Sequence, residues 1–118
     1  MSAYVLASTG TTQALTTGTV PSHGYLSVTS TFGDQSGGGE VVLYHAATAQ
    51  PADIDDYVCW DTLGATNTKA DAQTASKWST ATPACAAAIT GTAITRKQNV
   101  TGTLGTDYDS AASRAPCN

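Results

Sequence analysis

The densest group of side chains that could do chemistry is acidic. Three of the four residues in Asp53–Asp56 are aspartates, and Asp61 follows closely. Calcium prefers carboxylate oxygens, but an EF-hand loop needs a regular D-x-D-x-D-G spacing that this segment lacks. Asp107 and Asp109 would add ligands only if the fold brought them near. The sequence favours a solvated acidic loop at the start of a strand and leaves open whether Asp53–Asp56 binds a cation.

Two histidines raise the question of hydrolytic catalysis. His23 and His45 lie in or beside predicted strands, and a triad would need a nucleophile next to one of them and a carboxylate behind it. No G-x-S-x-G motif is present. Cys59 can be combined with His45 and an aspartate, but any chain with these residue types allows that combination. The sequence therefore predicts a protein that is not an enzyme, with no catalytic residue, no bound metal and no cofactor.

Three cysteines allow at most one intramolecular disulfide. Cys59, Cys85 and Cys117 permit three pairings, and the sequence does not choose among them. No C-x-x-C spacing is present and neither histidine lies close to a cysteine in sequence, which disfavours a zinc site. No signal peptide is visible after Met1. If Met1 is the native start, we expect synthesis in a reducing cytosol, whereas a removed leader would imply an oxidising compartment.

The composition excludes several classes of protein. Only 12% of the residues are charged, against about 25% in typical soluble domains. The formal net charge is −4, and the five cations are scattered along the chain, so no basic face for nucleic acid is expected. The longest apolar run, Ala84–Ile89, is far shorter than the ~20 residues that span a bilayer. We therefore expect neither a nucleic-acid nor a membrane partner.

More than half of the chain is Thr, Ala, Gly or Ser. Hydroxyl-bearing and methyl-bearing side chains cost less to desolvate than ammonium or carboxylate groups, provided that the hydroxyls find partners. The composition thus predicts a surface that packs against copies of this chain or against another protein. Trp60 and Trp78 would serve either as core residues or as interface or sugar-binding residues, and we favour the core.

The elements that must position these residues are short and β-prone. Turn signals every 8–12 residues predict one domain over residues 1–118, an all-β fold described as a small antiparallel β-sandwich or barrel with at most one short helix. Residues 67–78 are the candidate helix, capped by Asn67 and anchored by Trp78. The tail from Asp107 carries no predicted strand. The first predicted strand begins at Tyr4, and further strands are predicted over residues 23–32, 40–46, 54–60, 86–95 and 98–104.

The strongest local pattern is a predicted hairpin. In His23–Phe32 the apolar residues alternate with polar ones, and Glu40–Ala46 resumes as a strand after the glycine-rich loop Gly33–Gly39. The loop lacks the Lys-Ser/Thr ending of a phosphate-binding loop. We expect it to be a mobile tip that orders against a neighbouring subunit.

The segment Val41–Ala49, preceded by the strand His23–Phe32, resembles segments of small β-sandwich structural proteins of tailed bacteriophages. Those proteins decorate or cement capsids, or lie at the neck and tail. The resemblance covers roughly the first half of the chain and carries no functional residue. It implies a non-enzymatic virion subunit, commonly a homo-oligomer, that binds the major capsid protein or other virion proteins and is made in the host cytoplasm.

Two other classes stay open. The C-terminal Cys117 with Cys85 upstream is similar to the disulfide-bounded loop of type IV pilins, which implies an extracellular pilus or fimbrial subunit with a Cys85–Cys117 bond. The long apolar N-terminal helix of that family is missing from this sequence. A carbohydrate-binding module would instead present exposed Trp or Tyr side chains on one face of a sheet.

Overall fold

The protein is described here by a computed structural model that covers residues 4–8, 11–15, 32, 37–46, 48–81, 85–87, 93–97 and 99–111. Within these ranges the chain is mostly sheet, with one short α-helix, so the predicted all-β fold with antiparallel strands is confirmed. The strands are β1 Tyr4–Ser8, β2 Thr11–Leu15, β3 Gly39–Tyr44, β4 Ile54–Trp60, β5 Ala93–Arg96 and β6 Tyr108–Ala111; the helix is α1 Lys69–Thr74.

Four strands form an antiparallel sheet in the order β2-β1-β3-β4, and β5 pairs with β6 in a second sheet. Over Val42–Tyr44, β3 has β1 on one side and β4 on the other. The predicted hairpin, in which residues 23–32 pair with this stretch, is therefore wrong over Val42–Tyr44, because both edges of β3 are already occupied there. Apart from Phe32, residues 23–32 lie outside the described part of the chain.

The core lies on one face of the four-stranded sheet. Successive side chains of a strand point to opposite faces, and in β3 it is Glu40, Val42 and Tyr44 that are buried. Val42 stands between Ala7 of β1 and Tyr57 of β4, which are also buried. The alternation in the sequence of β3 therefore indicates which face of the strand packs into the core.

An irregularity between β3 and β4 changes which β4 residues share that face. Leu43 lies opposite Asp56 but Tyr44 lies opposite Ile54, so β4 contains one extra residue, Asp55, at this step. Ile54 therefore joins Tyr57 in the core. Strict alternation in the sequence predicts that Ile54 shares a face with Val58 and Trp60, and this prediction is wrong because the extra residue Asp55 shifts the alternation.

The helix α1 is shorter than the predicted segment, and its N-cap is Thr68, one residue after the predicted cap Asn67. Its C-terminus is closed by hydrogen bonds from Lys77 N to Ala72 O (2.8 Å) and from Ser76 N to Gln73 O (3.0 Å). Ser76 has a φ of 58°, the left-handed conformation that such a helix end requires. The chain then reaches Trp78, which is buried and anchors the segment as predicted.

The C-terminal part departs most from the sequence expectations. The strand β5, Ala93–Arg96, overlaps the end of the predicted strand 86–95, of which residues 88–92 lie outside the described part of the chain, and residues 99–104 form turns rather than a strand. Gly102 has a φ of 75°, which interrupts an extended chain. The strand β6 begins at Tyr108, where no strand was predicted. No helix in the described residues is long and apolar enough to cross a membrane.

Candidate functional site

The fully buried acid Glu40 joins three segments of the chain. Its Oε2 atom accepts a hydrogen bond of 2.8 Å from the Tyr57 hydroxyl, and the Thr68 N–H lies 3.0 and 2.9 Å from its two oxygens. These donors satisfy a carboxylate that would otherwise be costly to bury. The negative charge also lies at the N-terminus of α1, where the helix dipole favours it. Glu40 therefore fixes the start of α1 against β3 and β4.

The tyrosines around Glu40 are held in their neutral form. Burial raises the pKa of Tyr57, and the hydrogen bond to Glu40 and its charge raise that pKa further. Burial also raises the pKa of Tyr44, with smaller contributions from Glu40 and Asp71, while a hydrogen bond with Thr68 acts in the opposite direction. Tyr57 therefore serves as a hydrogen-bond donor at neutral pH, and the cluster is suited to packing.

Cys59 and Cys85 form a disulfide, with a Cα–Cα distance of 5.1 Å. Ala86, the residue after Cys85, is hydrogen-bonded to the same segment, from Ala86 N to Cys59 O (2.9 Å) and from Asp61 N to Ala86 O (2.8 Å). The bond closes a loop with a sequence separation of 26, which in the chain-entropy account stabilises the fold by about 3–4 kcal/mol. The loop carries α1 and Trp78, so the disulfide and Glu40 hold the same segment.

A second buried acid, Asp107, organises the turn before β6. Its Oδ2 atom accepts hydrogen bonds from the N–H groups of Gly102 (3.0 Å), Thr103 (3.1 Å) and Leu104 (3.2 Å). The Tyr108 hydroxyl donates to the Gly102 carbonyl at 2.9 Å. Burial is the main reason why the pKa of Tyr108 is raised to about 12. Asp107 therefore acts as a structural acceptor in the turn.

The acidic run flanks a surface groove between the start of β4 and α1. His45 lies just after β3, with Nδ1 3.2 Å from Asp55 Oδ1 and Nε2 3.9 Å from Asp53 Oδ1. The groove has a volume of about 510 Å³, which is within the usual range for ligand pockets. Asp71 of α1 also lines it. The extra residue in β4 thus adds a carboxylate to the groove wall.

Part of the groove lining is apolar. Pro51, Ala52 and Ile54 line it on the β4 side, and Ala75 lines it on the helix side. Lys77 is the cation among the described residues that line the groove. The groove thus brings apolar side chains together with the carboxylates of Asp55 and Asp71.

The other candidate site residues from the sequence do not come together in the described structure. Asp61 lies at an exposed turn near Thr62, and Asp109 pairs with Lys97 at 3.3 Å. Trp60 and Trp78 are buried, as favoured. The sulfur of Cys59 is bonded to Cys85, so the combination of Cys59 with His45 contains no free thiol. His23 and Cys117 lie outside the described residues.

No group of three or more His, Cys, Asp or Glu side chains within the described ranges is placed to hold a metal ion. The Cys59–Cys85 bond also replaces the Cys85–Cys117 pairing that the pilin resemblance implied.

Sequence reasoning missed Glu40. It is the chain's sole glutamate, and it stands two residues before Val42 and four before Tyr44. That spacing places it on the buried face of a strand, and the phase of β3 could have identified it. The donors Tyr57 and Thr68 carry no such signal, because the register and the helix position decide their contact with Glu40.

Comparison with known protein families, with curated proteins and with solved structures gave no match to this chain.

Proposed function

We propose that the protein is a non-enzymatic structural subunit of a bacteriophage virion, of the kind that decorates or cements a capsid, and that it acts through protein–protein contacts. The observation that carries the proposal is the surface of β2. This strand ends the described four-stranded sheet, and its exposed side chains Thr11, Thr12 and Ala14 are all small and uncharged. Strands at sheet ends usually carry charge or proline that discourages pairing with other chains.

The buried polar groups support a structural role. Glu40 and Asp107 are used to position backbone segments, and Cys59 is bonded to Cys85. These are residue types from which catalytic sites are built, and here they stabilise the fold.

The disulfide restricts where the protein works. Disulfides persist in secreted proteins and on virion and cell surfaces, and they are rare in a reducing cytosol. The bond therefore fits a subunit that is made in the cytoplasm only if it is oxidised after release. It fits a secreted binding module equally well, and this is the second candidate function. A sugar platform built on Trp60 or Trp78 is disfavoured for that module because both side chains are buried.

Rebinding to particles tests the proposal. Virions from the natural source are stripped of the subunit, and the wild-type protein is added back and measured by co-sedimentation. We expect saturable rebinding and a higher melting temperature in the bound state. At a partner concentration about 100 times Kd, binding adds about 2.7 kcal/mol to the free energy of unfolding.

A variant that carries a charge on β2 tests whether this strand is the surface that binds the particle. Thr12→Lys puts an ammonium on the exposed strand, whereas Thr66→Lys adds the same charge at an exposed loop position and is the matched control. We expect Thr12→Lys to weaken rebinding at least about tenfold, because burying an unpaired ammonium is costly. If wild-type protein does not sediment with particles but binds glycans as a monomer, the secreted module is the correct function.

A further inference from the structure

We propose that the groove between β4 and α1 receives an arginine or lysine side chain from the protein to which this subunit docks. The inference rests on the proposed function, because it assumes a protein partner, and it adds the chemistry by which that partner is recognised. Three observations carry it: the apolar side chains in the groove lining, the Asp71 carboxylate there and the net charge of the chain.

The apolar part of the groove lining suits the aliphatic part of a long basic side chain. Pro51, Ala52, Ile54 and Ala75 present carbon surface along the groove. Arginine and lysine bury their methylene stems on such surface while the charged group stays at a polar rim. A short cation or a metal ion would leave this surface unused.

The groove lining also offers acceptors for the charged group. The Asp71 side chain makes no hydrogen bond or ion pair with any residue in the described ranges, and it lines the groove together with Asp55. Asp55 contacts His45 only through one oxygen–nitrogen pair at 3.2 Å. Two carboxylates in the wall, with Asp53 beside them, outweigh the ammonium of Lys77.

The charge of the whole chain favours a different protein over a second copy. The net charge of −4 makes two copies repel each other, whereas a basic segment on a partner is attracted and steered to the surface. We therefore assign the groove to a basic segment of the docking partner.

A titration followed by NMR tests the chemistry of the groove. The uniformly ¹⁵N-labelled full chain is titrated with L-arginine amide, and separately with L-citrulline amide, which has nearly the same shape but a neutral end group. We expect saturable shifts at the amides of Asp55, Asp71 and Thr74 with arginine amide and much weaker ones with citrulline amide. Equal responses to the two probes, or arginine shifts spread evenly over Asp61 and Asp109, would overturn the proposal.

Matched charge removals locate the site. Asp71→Asn removes one groove carboxylate without changing its shape, and Asp61→Asn removes one exposed carboxylate that does not line the groove. We expect Asp71→Asn to weaken arginine amide binding about two- to fivefold, the usual range for an exposed charge pair, and Asp61→Asn to leave it unchanged. Equal weakening by both variants contradicts a specific site.

Rebinding to stripped virions separates this inference from the proposed function. If Asp71→Asn weakens rebinding and Asp61→Asn does not, both are supported. If wild-type protein rebinds and Asp71→Asn rebinds equally well, the basic side chain in the groove is wrong while the virion role stands. If wild-type protein does not rebind at all, the proposed function fails, and the partner assignment fails with it.

Discussion

Glu40 and Asp107 are both buried acids that accept backbone N–H groups, but they connect very different parts of the chain. The Asp107 carboxylate contacts residues three to six positions earlier, within its own turn. Glu40 reaches Tyr57 and Thr68, which are 17 and 28 positions away. The first acid can act while its loop is still isolated, whereas the second can act only when β3, β4 and α1 are assembled.

The difference teaches where the fold depends on cooperative packing. Closing a short turn around its acceptor costs little chain entropy. Long-range contacts, by contrast, form only after larger loops have closed, which costs more. The region around Glu40 also holds the disulfide and the groove wall formed by α1. We therefore expect damage at Glu40 to affect the whole molecule and damage at Asp107 to stay in its turn.

The largest expected effect is that of Glu40→Ala. The substitution leaves the Tyr57 hydroxyl and the Thr68 N–H buried without an acceptor, and each such group costs about 1–3 kcal/mol. We expect the free energy of unfolding to fall by about 2–4 kcal/mol, measured by urea denaturation with the disulfide intact. Glu40→Gln, which keeps one acceptor oxygen, should cost less. A loss below about 1 kcal/mol for Glu40→Ala would contradict the long-range role.

Alkaline pH is expected to separate the two regions through their tyrosines. Because the folded-state pKa of Tyr57 and of Tyr108 is raised, the folded protein retains protons that the unfolded chain releases near pH 10. Stability is therefore fully present below pH 10 and falls as pH rises, by about 1.4 kcal/mol per pH unit for each such tyrosine. For Tyr108 this loss should end near pH 12, whereas for Tyr57 it should continue to higher pH.

Single phenylalanine variants assign this loss. Urea midpoints between pH 9 and 11 should fall less steeply for Tyr57→Phe and for Tyr108→Phe than for the wild type. Parallel curves for all three proteins would show that these two tyrosines ionise equally easily in the folded and unfolded states. Brief exposure and a thiol count keep disulfide chemistry separate from this effect.

The smallest expected effect is that of Asp107→Ala. Losing a side chain that accepts several backbone N–H groups resembles losing a helix cap, which costs about 0.5–2 kcal/mol. We expect faster amide hydrogen exchange at Gly102, Thr103 and Leu104, with the amides of β3 and β4 unchanged. The control Asp109→Ala removes an exposed acid from β6, the strand that follows the turn, and should change stability by less than about 0.5 kcal/mol. Faster exchange throughout the four-stranded sheet would show that the turn is not a local unit.

Much of the fold was predictable because local pattern decides it. The bounds of β4 match the prediction, and β3 differs from its predicted range by only one residue at the start and two at the end. Both contain β-branched and aromatic residues that favour a pleated, half-buried strand. The predicted strand 98–104 is wrong over 99–104, where Val100 and Leu104 suggested alternation, because the positive φ of Gly102 and the acceptor Asp107 make a turn there.

The groove was only half predictable. The acidic run at Asp53–Asp56 is visible in the sequence, and its exposure as a solvated segment was the favoured reading. That Asp55 faces a groove shared with α1 was not visible, because one extra residue in β4 and the docking of the helix decide it.

The sequence by itself determined the class of the fold, the phase of its best strands and the small, uncharged character of its surface, since these follow from residue types and a spacing of two. Tertiary structure decided that Cys59 pairs with Cys85, that Glu40 caps the segment leading into α1, and that Asp55 and Asp71 share a groove. Each of these brings together residues at least 16 positions apart in the chain. Strand register and helix docking set such contacts, and the burial energy of the assembled core fixes register and docking together.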